Sequence, residues 1–599
     1  MSSAKKYIKP KMVNWYDAGQ LVSTGLRSLI SGEFGHFADK RELQAALRPN
    51  IETPDFSNET EIWIDYVSDT GDGFNSTFSI AKLVSEPMLK LALKKDSASK
   101  VQSGSEDSVE TQAGKIIIFG GDQVYPTPEM EKYENRFKIP FGTANPYDES
   151  TPDDARSRMF AIPGNHDWYD GLGNFISLFC QKRRIGNWQT VQQRSYFAIQ
   201  LPYNYWIFGI DVQLDSDIDQ PQKDYFQKIA IDKMKDGDKV ILCTAEPAWV
   251  YYQMYGNNES YKRLKYFEQL YITDDAYNLI GKKFKLVATV TGDLHHYSRY
   301  VEEKEGYINH LITAGGGGAF LHPTHLLPDK LMKQSDVNYS FQKSKAQNEP
   351  ELKTVFPSKK DSQKLAFLNF LFPWFNKQFV IFLSLVELLL TWILQGTTYY
   401  DNNGTFIEQL AESRNLRQSF AFIGNTLIHN PPFILISIVL IFGCMVFTDT
   451  KRIKHLNLFL GLPHGIIQWL NLMLWLGLYA KSFYPLFSEE QTMSFIISTT
   501  FAAALSGGIA GAFILGIYLW FGVSILKVHL DESFSSFGYQ HYKNFLRIHI
   551  TKDQVTIYPV GVDRVTINWK QSGEGENLKF EGTIPECHLI EPPIIIKNN

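Results

Sequence analysis

Residues 159–167 read Met-Phe-Ala-Ile-Pro-Gly-Asn-His-Asp: an apolar run, a proline-glycine break, then Asn165, His166 and Asp167 in direct succession. Short apolar runs bounded by turn residues read as buried strands. The same arrangement recurs four times between residues 60 and 320. Ile62–Val67 leads into Ser68-Asp69-Thr70-Gly71-Asp72-Gly73, and Lys115–Phe119 leads into Gly120-Gly121-Asp122-Gln123-Val124-Tyr125. Val240–Cys243 leads into Thr244-Ala245-Glu246-Pro247, and Lys285–Val290 into Thr291-Gly292-Asp293-Leu294-His295-His296. In open α/β sheets, ligands and catalytic groups collect beyond the carboxyl ends of the strands, so five such loops are expected to meet at one site. Carboxylates and imidazoles gathered there repel one another or stay undersatisfied unless a cation lies between them. Any one loop alone is weak, because a lone turn Asp usually caps a turn. The five together point to a metal centre.

These residues resemble the calcineurin-like metallophosphoesterase superfamily over roughly residues 60–320. Gly164-Asn165-His166-Asp167 and Gly121-Asp122-Gln123-Val124-Tyr125 are the specific parts. Gly71 stands where the common pattern has histidine, and Tyr125 closes the second motif; both features are similar to the purple acid phosphatase branch. The resemblance implies a four-layer α/β/β/α sandwich and two divalent or mixed-valence ions drawn from Mn, Fe, Mg and Zn. It assigns Asp69, Asp122, Tyr125 and His295 to the first ion. Asp122 would bridge to the second, which takes Asn165 and, where histidines are usual, Glu246 and Asp293. An oxygen-rich second site suits Mn²⁺ or Mg²⁺ better than Zn²⁺. The reaction implied is hydrolysis of a phosphate mono- or diester by a metal-bridging hydroxide. His166 would serve the leaving group and Asp167 would orient it, although an N-cap role for Asp167 reads nearly as well. Asp72, His296, His322 and His325 are candidate auxiliary ligands or substrate contacts. The glycine run Gly315–Gly318 reads equally as a phosphate cradle or a tight turn. The altered residues at 71, 246 and 293 also admit a metal-binding membrane sensor or scaffold without hydrolysis.

Composition separates the rest of the chain. The 599 residues are 44% apolar and 21% charged, with net charge −5, which gives no basis for nucleic-acid binding. Four scattered cysteines exclude a disulfide scaffold and a thiolate zinc site. Phe379–Gly396, Pro431–Thr448, Leu458–Ala480 and Met493–Leu526 carry one charge between them, Glu387. About 20 apolar residues cross a bilayer core, so four spans are expected, with the last run read as one helix rather than two and Glu387 facing the bundle interior. Lys451, Arg452 and Lys454 between the second and third spans place the catalytic domain and the tail in the cytoplasm of an integral, multi-pass membrane protein. The implied partners are the lipid bilayer and a phosphate ester, lipid-linked substrates included. The domains expected are an N-terminal segment 1–57 with amphipathic helices near 20–30 and 40–47, and a catalytic domain 58–325 containing a disordered loop near 94–114. A linker 326–377, the membrane region 378–526 and a β-rich tail 527–599 that returns to the catalytic domain complete the chain.

Overall fold

The computed structural model describes residues 6–21, 23, 41, 53–94, 108–212, 218–256, 259–272, 280–304, 306–332, 349–395, 405–488 and 492–598. The chain forms two compact units. One comprises Met1–Val13, Ser23–Ser362 and Gly538–Asn599, the other Asn14–Val22 and Gln363–Phe537.

The first unit is mixed α/β and contains two large sheets. One sheet runs in the order His588–Leu589, Gln554–Val562, Lys543–Ile550, Ile62–Val67, Ile116–Phe119, Arg158–Ala161, Trp188–Thr190 and Arg184–Ile185. Its middle strands are parallel, with Ile64 opposite Ile116 and Ile116 opposite Arg158. The second sheet runs Glu351–Phe356, Tyr297–Lys304, Tyr307–Ala314, Lys285–Thr291, Lys239–Cys243, Tyr205–Gly209 and Phe197–Leu201. Side chains alternate along a strand, and a strand buried on both faces is apolar throughout. Thus Ile62, Ile64, Tyr66, Ile116 and Ile118 meet Ile207, Ile241, Val287 and Ile312 of the other sheet in one core. Val67, Ile117 and Phe119 point the other way, onto Phe74 and Phe78 of the helix Phe74–Ser85 and onto Phe137 and Phe141. Behind the second sheet, Phe208 meets Phe226 of the helix Gln220–Asp232, with ring centres 4.8 Å apart.

Three segments differ from the sequence expectations. The region expected as linker supplies Glu351–Phe356, which pairs antiparallel with Tyr297–Lys304 at the sheet edge. Its charged residues fit an edge strand, which needs only one partner. Within the expected loop near 94–114, Val109–Gln112 pairs with Met88–Leu91; residues 95–107 lie outside the described residues. The expected amphipathic helices near 20–30 and 40–47 also fall largely outside them. The tail forms a hairpin of Lys543–Ile550 and Gln554–Val562, and its first strand pairs antiparallel with Ile62–Val67, placing Arg547 opposite Asp65.

In the second unit three helices, Lys377–Gln395, Asn457–Leu486 and Thr492–Leu526, are long and apolar enough to cross a membrane. The last of them is continuous through Gly507-Gly508. The second expected span, Pro431–Thr448, is the helix Pro431–Phe447, and the helix Arg417–His429 before it, where a loop was expected, meets it at 103°. Proline disfavours helical backbone in the residue before it, and Asn430 there is non-helical, its side chain capping Phe433 N at 3.1 Å. Counted as one span, that bent pair makes a fourth. Glu387 is buried and accepts a hydrogen bond from Asn471 Nδ2 at 3.0 Å.

Candidate metal centre

The strands Ile62–Val67, Ile116–Phe119 and Lys285–Thr291 end in loops whose aspartates take left-handed backbone conformations: φ is 58° at Asp69, 48° at Asp122 and 67° at Asp293. Such conformations are sparsely populated by non-glycine residues and persist only where surrounding contacts hold them. Here the loops are tied to one another. Asp69 N donates to Gly121 O at 3.0 Å, Thr70 N to Asp122 O at 3.0 Å, and Asp293 N to the Asp69 carboxylate at 2.9 and 3.1 Å.

The result is a buried convergence on one phenol. The Tyr125 hydroxyl lies 3.1 Å from Asp69 Oδ1, 3.3 Å from Asp122 Oδ2 and 2.9 Å from His295 Nε2. Asp69, Asp122, Tyr125 and His295 are all at most 4% exposed. A phenol carries one proton and can satisfy one of three such acceptors. Burial and the charge of Asp293 push the Asp69 carboxyl well above its usual range; burial, then Asp167 and Asp69, do the same to Asp122. Burial, then His322 and Lys543, hold His295 well below its usual value. Acids driven towards neutrality and an imidazole driven off its proton are what a donor set looks like before a cation neutralises it. His295 Nδ1 is 2.7 Å from Phe320 O, which fixes the proton there and leaves the Nε2 lone pair facing the cluster.

Asn165 opens the short helix Asn165–Trp168, and its buried Oδ1 has no hydrogen-bond partner among the described residues. An orphaned amide oxygen on a residue whose neighbour, His166, donates its backbone N–H to Asp122 fits a hard or borderline metal ion. Among the described residues, no group of three or more His, Cys, Asp or Glu side chains could hold a metal; the donor set depends on Tyr125 and Asn165.

Other expected residues take different places. Glu246, expected at the second ion, accepts from Ser260 Oγ, and the Asp293 carboxylate accepts from Tyr251. Asp167 does not orient His166: its oxygens accept from Tyr133, from Gly164 N at 2.9 Å and from Gln123 N at 3.4 Å, the reach of a carboxylate at the third helical position back to the cap. The His166 ring is held instead by Nδ1 at 2.8 Å from Pro126 O, while its backbone N donates to Asp122 Oδ1 at 2.9 Å. Burial lowers its pKa to about 4, against the pull of that carbonyl. Asp72 is a structural tie, accepting from Val13 N at 2.7 Å and Phe320 N at 3.1 Å. His322 stacks on His295 with centroids 3.9 Å apart, His325 Nδ1 is 2.9 Å from Ser362 Oγ, and His296 is fully buried.

The glycine run binds no phosphate through its Gly317 N–H, which donates to Ser68 O at 2.8 Å; Ala319 N, just beyond it, donates to Asp69 O at 2.8 Å. Gly71 (φ +62°) explains the missing histidine, since a Cβ there would stand 2.3 Å from Gln123 O. At Gly164 a Cβ would stand 2.1 Å from Asp122 Oδ1, so the loop closes on that carboxylate only with glycine.

The sequence reading missed Lys543. It is fully buried on the first tail strand, and burial pushes its pKa down to about 7 against the pull of Asp72 and Asp69. The alternation of residues 545–550 was a signal for the strand, and nothing local signalled the lysine.

No family model matches the chain, and no curated protein matches it. Among solved structures, it is similar to the purple acid phosphatase PPD1 from yellow lupin (Lupinus luteus) seeds, with 12% identity and a TM-score of 0.29 over 48% of this chain and 48% of that one. It is also similar to PhoD, with 10% identity and a TM-score of 0.27 over 45% of this chain and 60% of that one. The chain thus spans about half of the first structure's length and three-fifths of the second's. Likenesses of this size carry no conclusion about activity.

Proposed function

We propose that the protein is a membrane-anchored, metal-dependent phosphoesterase whose catalytic domain, a four-layer α/β/β/α sandwich, faces the cytoplasm. The observation that carries this reading is the meeting of Asp69, Asp122 and His295 around the Tyr125 hydroxyl, three acceptors on one proton. Asp69, Asp122, Tyr125, His295 and Asn165 would hold the metal. When bound, it supplies Lewis acidity towards a phosphoryl oxygen and lowers the pKa of attacking water. His166 lies beside this set, its ring 4.5 Å from that of Tyr125. Its Nδ1 contact with the Pro126 carbonyl fixes the tautomer, so Nε2 is the atom that hydrogen-bonds an ester oxygen. A bound phosphate's negative charge raises the pKa of His166, whose Nε2 then takes a proton from solvent and passes it to the departing alkoxide as the P–O bond breaks. A membrane anchor on the same chain is the reason to count lipid-linked esters as candidate substrates, together with soluble mono- and diesters.

The test is hydrolysis of a generic monoester and a generic diester by detergent-solubilised protein supplied with Mn²⁺, Mg²⁺, Zn²⁺ or Fe. His166→Asn is expected to lower the rate about 10²–10⁴-fold at unchanged metal content. A His166→Asn protein as active as wild type would remove His166 from the reaction.

A second reading has its own observation. Glu246 and Asp293 are engaged by Ser260 and Tyr251, so a second metal has fewer committed donors than the first. A protein that binds one metal and turns over neither ester under any of these conditions is a metal-binding sensor or scaffold.

A further inference from the structure

A cavity of about 620 Å³ opens at the side of the first unit where the edges of both sheets meet, away from the metal centre. Among the described residues its charged lining is entirely basic: Arg158, Lys182, Arg194 and Lys233. In a chain of net charge −5 this is a local reversal of sign. Arg158 opens the strand Arg158–Ala161 and donates to the neutral amide of Gln189. Among the described residues, Arg158, Lys182 and Lys233 form no ion pair. Lys182 and Lys233 are exposed at the mouth, whereas Arg194 is 8% exposed, its guanidinium held over Tyr196 and Tyr225 at 5.6 and 5.5 Å from the ring centres. Like charges such as Arg158, Lys182 and Lys233, gathered in one cavity without an ion pair among the described residues, repel one another and are stabilised by an anion placed among them.

We infer that this cavity is a binding site for a small, multiply charged phosphorylated anion, separate from the catalytic centre and independent of its assignment. The volume suits a ligand of nucleotide size. Three cations without an ion pair exceed what a single carboxylate can neutralise, and the Arg158 guanidinium matches phosphate oxygens in pairs. A chain of negative net charge whose basic residues are confined to one cavity does not suit a nucleic-acid backbone. The site also has a mechanical link to the metal centre. Gln192, in the cavity wall, accepts from Ala161 N at 2.6 Å and donates to Ala161 O at 2.8 Å, at the end of the strand that leads to Asn165 and His166.

The test is calorimetric titration of inorganic tripolyphosphate into the full-length, detergent-solubilised, metal-free protein in EDTA at low and at physiological salt. Saturable binding that weakens with salt is expected. It should fall at least tenfold in Arg158→Gln/Lys182→Gln and be retained in Asp122→Asn. Lys182→Gln/Lys233→Gln, altering two exposed side chains, should also weaken it severalfold without touching the fold. No binding at millimolar tripolyphosphate, binding indifferent to both double variants, or binding lost in Asp122→Asn would each overturn the inference.

Discussion

Arg547 ties the C-terminal tail to the sheet that carries Asp69 and Asp122, and removing it should open that sheet locally. The side chain is fully buried, and all its nitrogens are used. Nε donates to Asp65 Oδ1 at 3.1 Å, and Nη1 donates to Thr111 O at 3.2 Å and Oγ1 at 3.3 Å. Nη2 donates to the carbonyls of Leu83, Val84 and Glu86 at 3.4, 3.2 and 3.0 Å, closing the C-terminal end of the helix Phe74–Ser85. Burial raises Asp65 to about 6 even with Arg547 and the Gly114 N–H beside it. Arg547→Met keeps much of the stem's volume, leaves Asp65 buried without its cation and takes the donor from three helix-end carbonyls. Breaking a buried ion pair from one side costs about 3–5 kcal/mol. At about 1.4 kcal/mol per decade, amide protection across 543–550 and 62–67 should fall roughly 100- to 4,000-fold. Hydrogen exchange read by mass spectrometry on the full chain measures this directly. Arg547→Met/Asp65→Asn, with no buried charge left over, should recover at least 1 kcal/mol relative to Arg547→Met alone. A drop of less than tenfold in Arg547→Met would refute the assignment of this side chain as the tie.

Two further outcomes follow from particular contacts. Gly71→His restores the residue of the common family pattern, yet the clash with Gln123 O and the positive φ should cost several-fold in metal affinity or in yield of folded protein, as measured by metal content per chain. Glu302 is buried, which would raise its carboxyl, yet Lys265, Lys304 and Asn309 lower it to about 2. A carboxyl lower in the folded than in the unfolded chain contributes stability that is fully present above pH 4.5 and is lost as pH falls towards 2. Glu302→Gln should remove up to about 3 kcal/mol of that dependence, flattening stability measured by denaturant between pH 5 and pH 2.

The parts of the site legible in the sequence were those written locally. Asp69, Asp122, Tyr125 and His295 each follow a strand within a few residues, and the strand end fixes where they go. Asp167 stays open between two roles in the sequence because Gly164-Asn165-His166-Asp167 spells both a catalytic Asn-His-Asp and a helix start, and only the positions of Tyr133 and Pro126 decide between them. Glu246 stands in a loop of the expected kind, but Ser260, on a later helix, takes its carboxylate. Lys543 and Arg547 reach the first sheet from more than 400 residues away, so no window of sequence around Asp65 or Asp69 shows them. Glu351–Phe356 reads as linker because an edge strand tolerates the charges that a central strand cannot. The start of the helix Pro431–Phe447 is marked by its prolines, whereas the helix Arg417–His429 reads as loop because its polar and basic residues break the apolar run.

Metal content of the full-length wild type beside Asp122→Asn, with a visible absorption spectrum of each, tests the central claim most directly. The account predicts stoichiometric metal on wild type, its loss or at least a tenfold weakening in a folded Asp122→Asn protein, and, with ferric iron, a phenolate charge-transfer band that Tyr125→Phe abolishes. A well-folded wild type that takes up none of Mn²⁺, Mg²⁺, Zn²⁺ or Fe, or an Asp122→Asn protein that binds metal as wild type does, would contradict it.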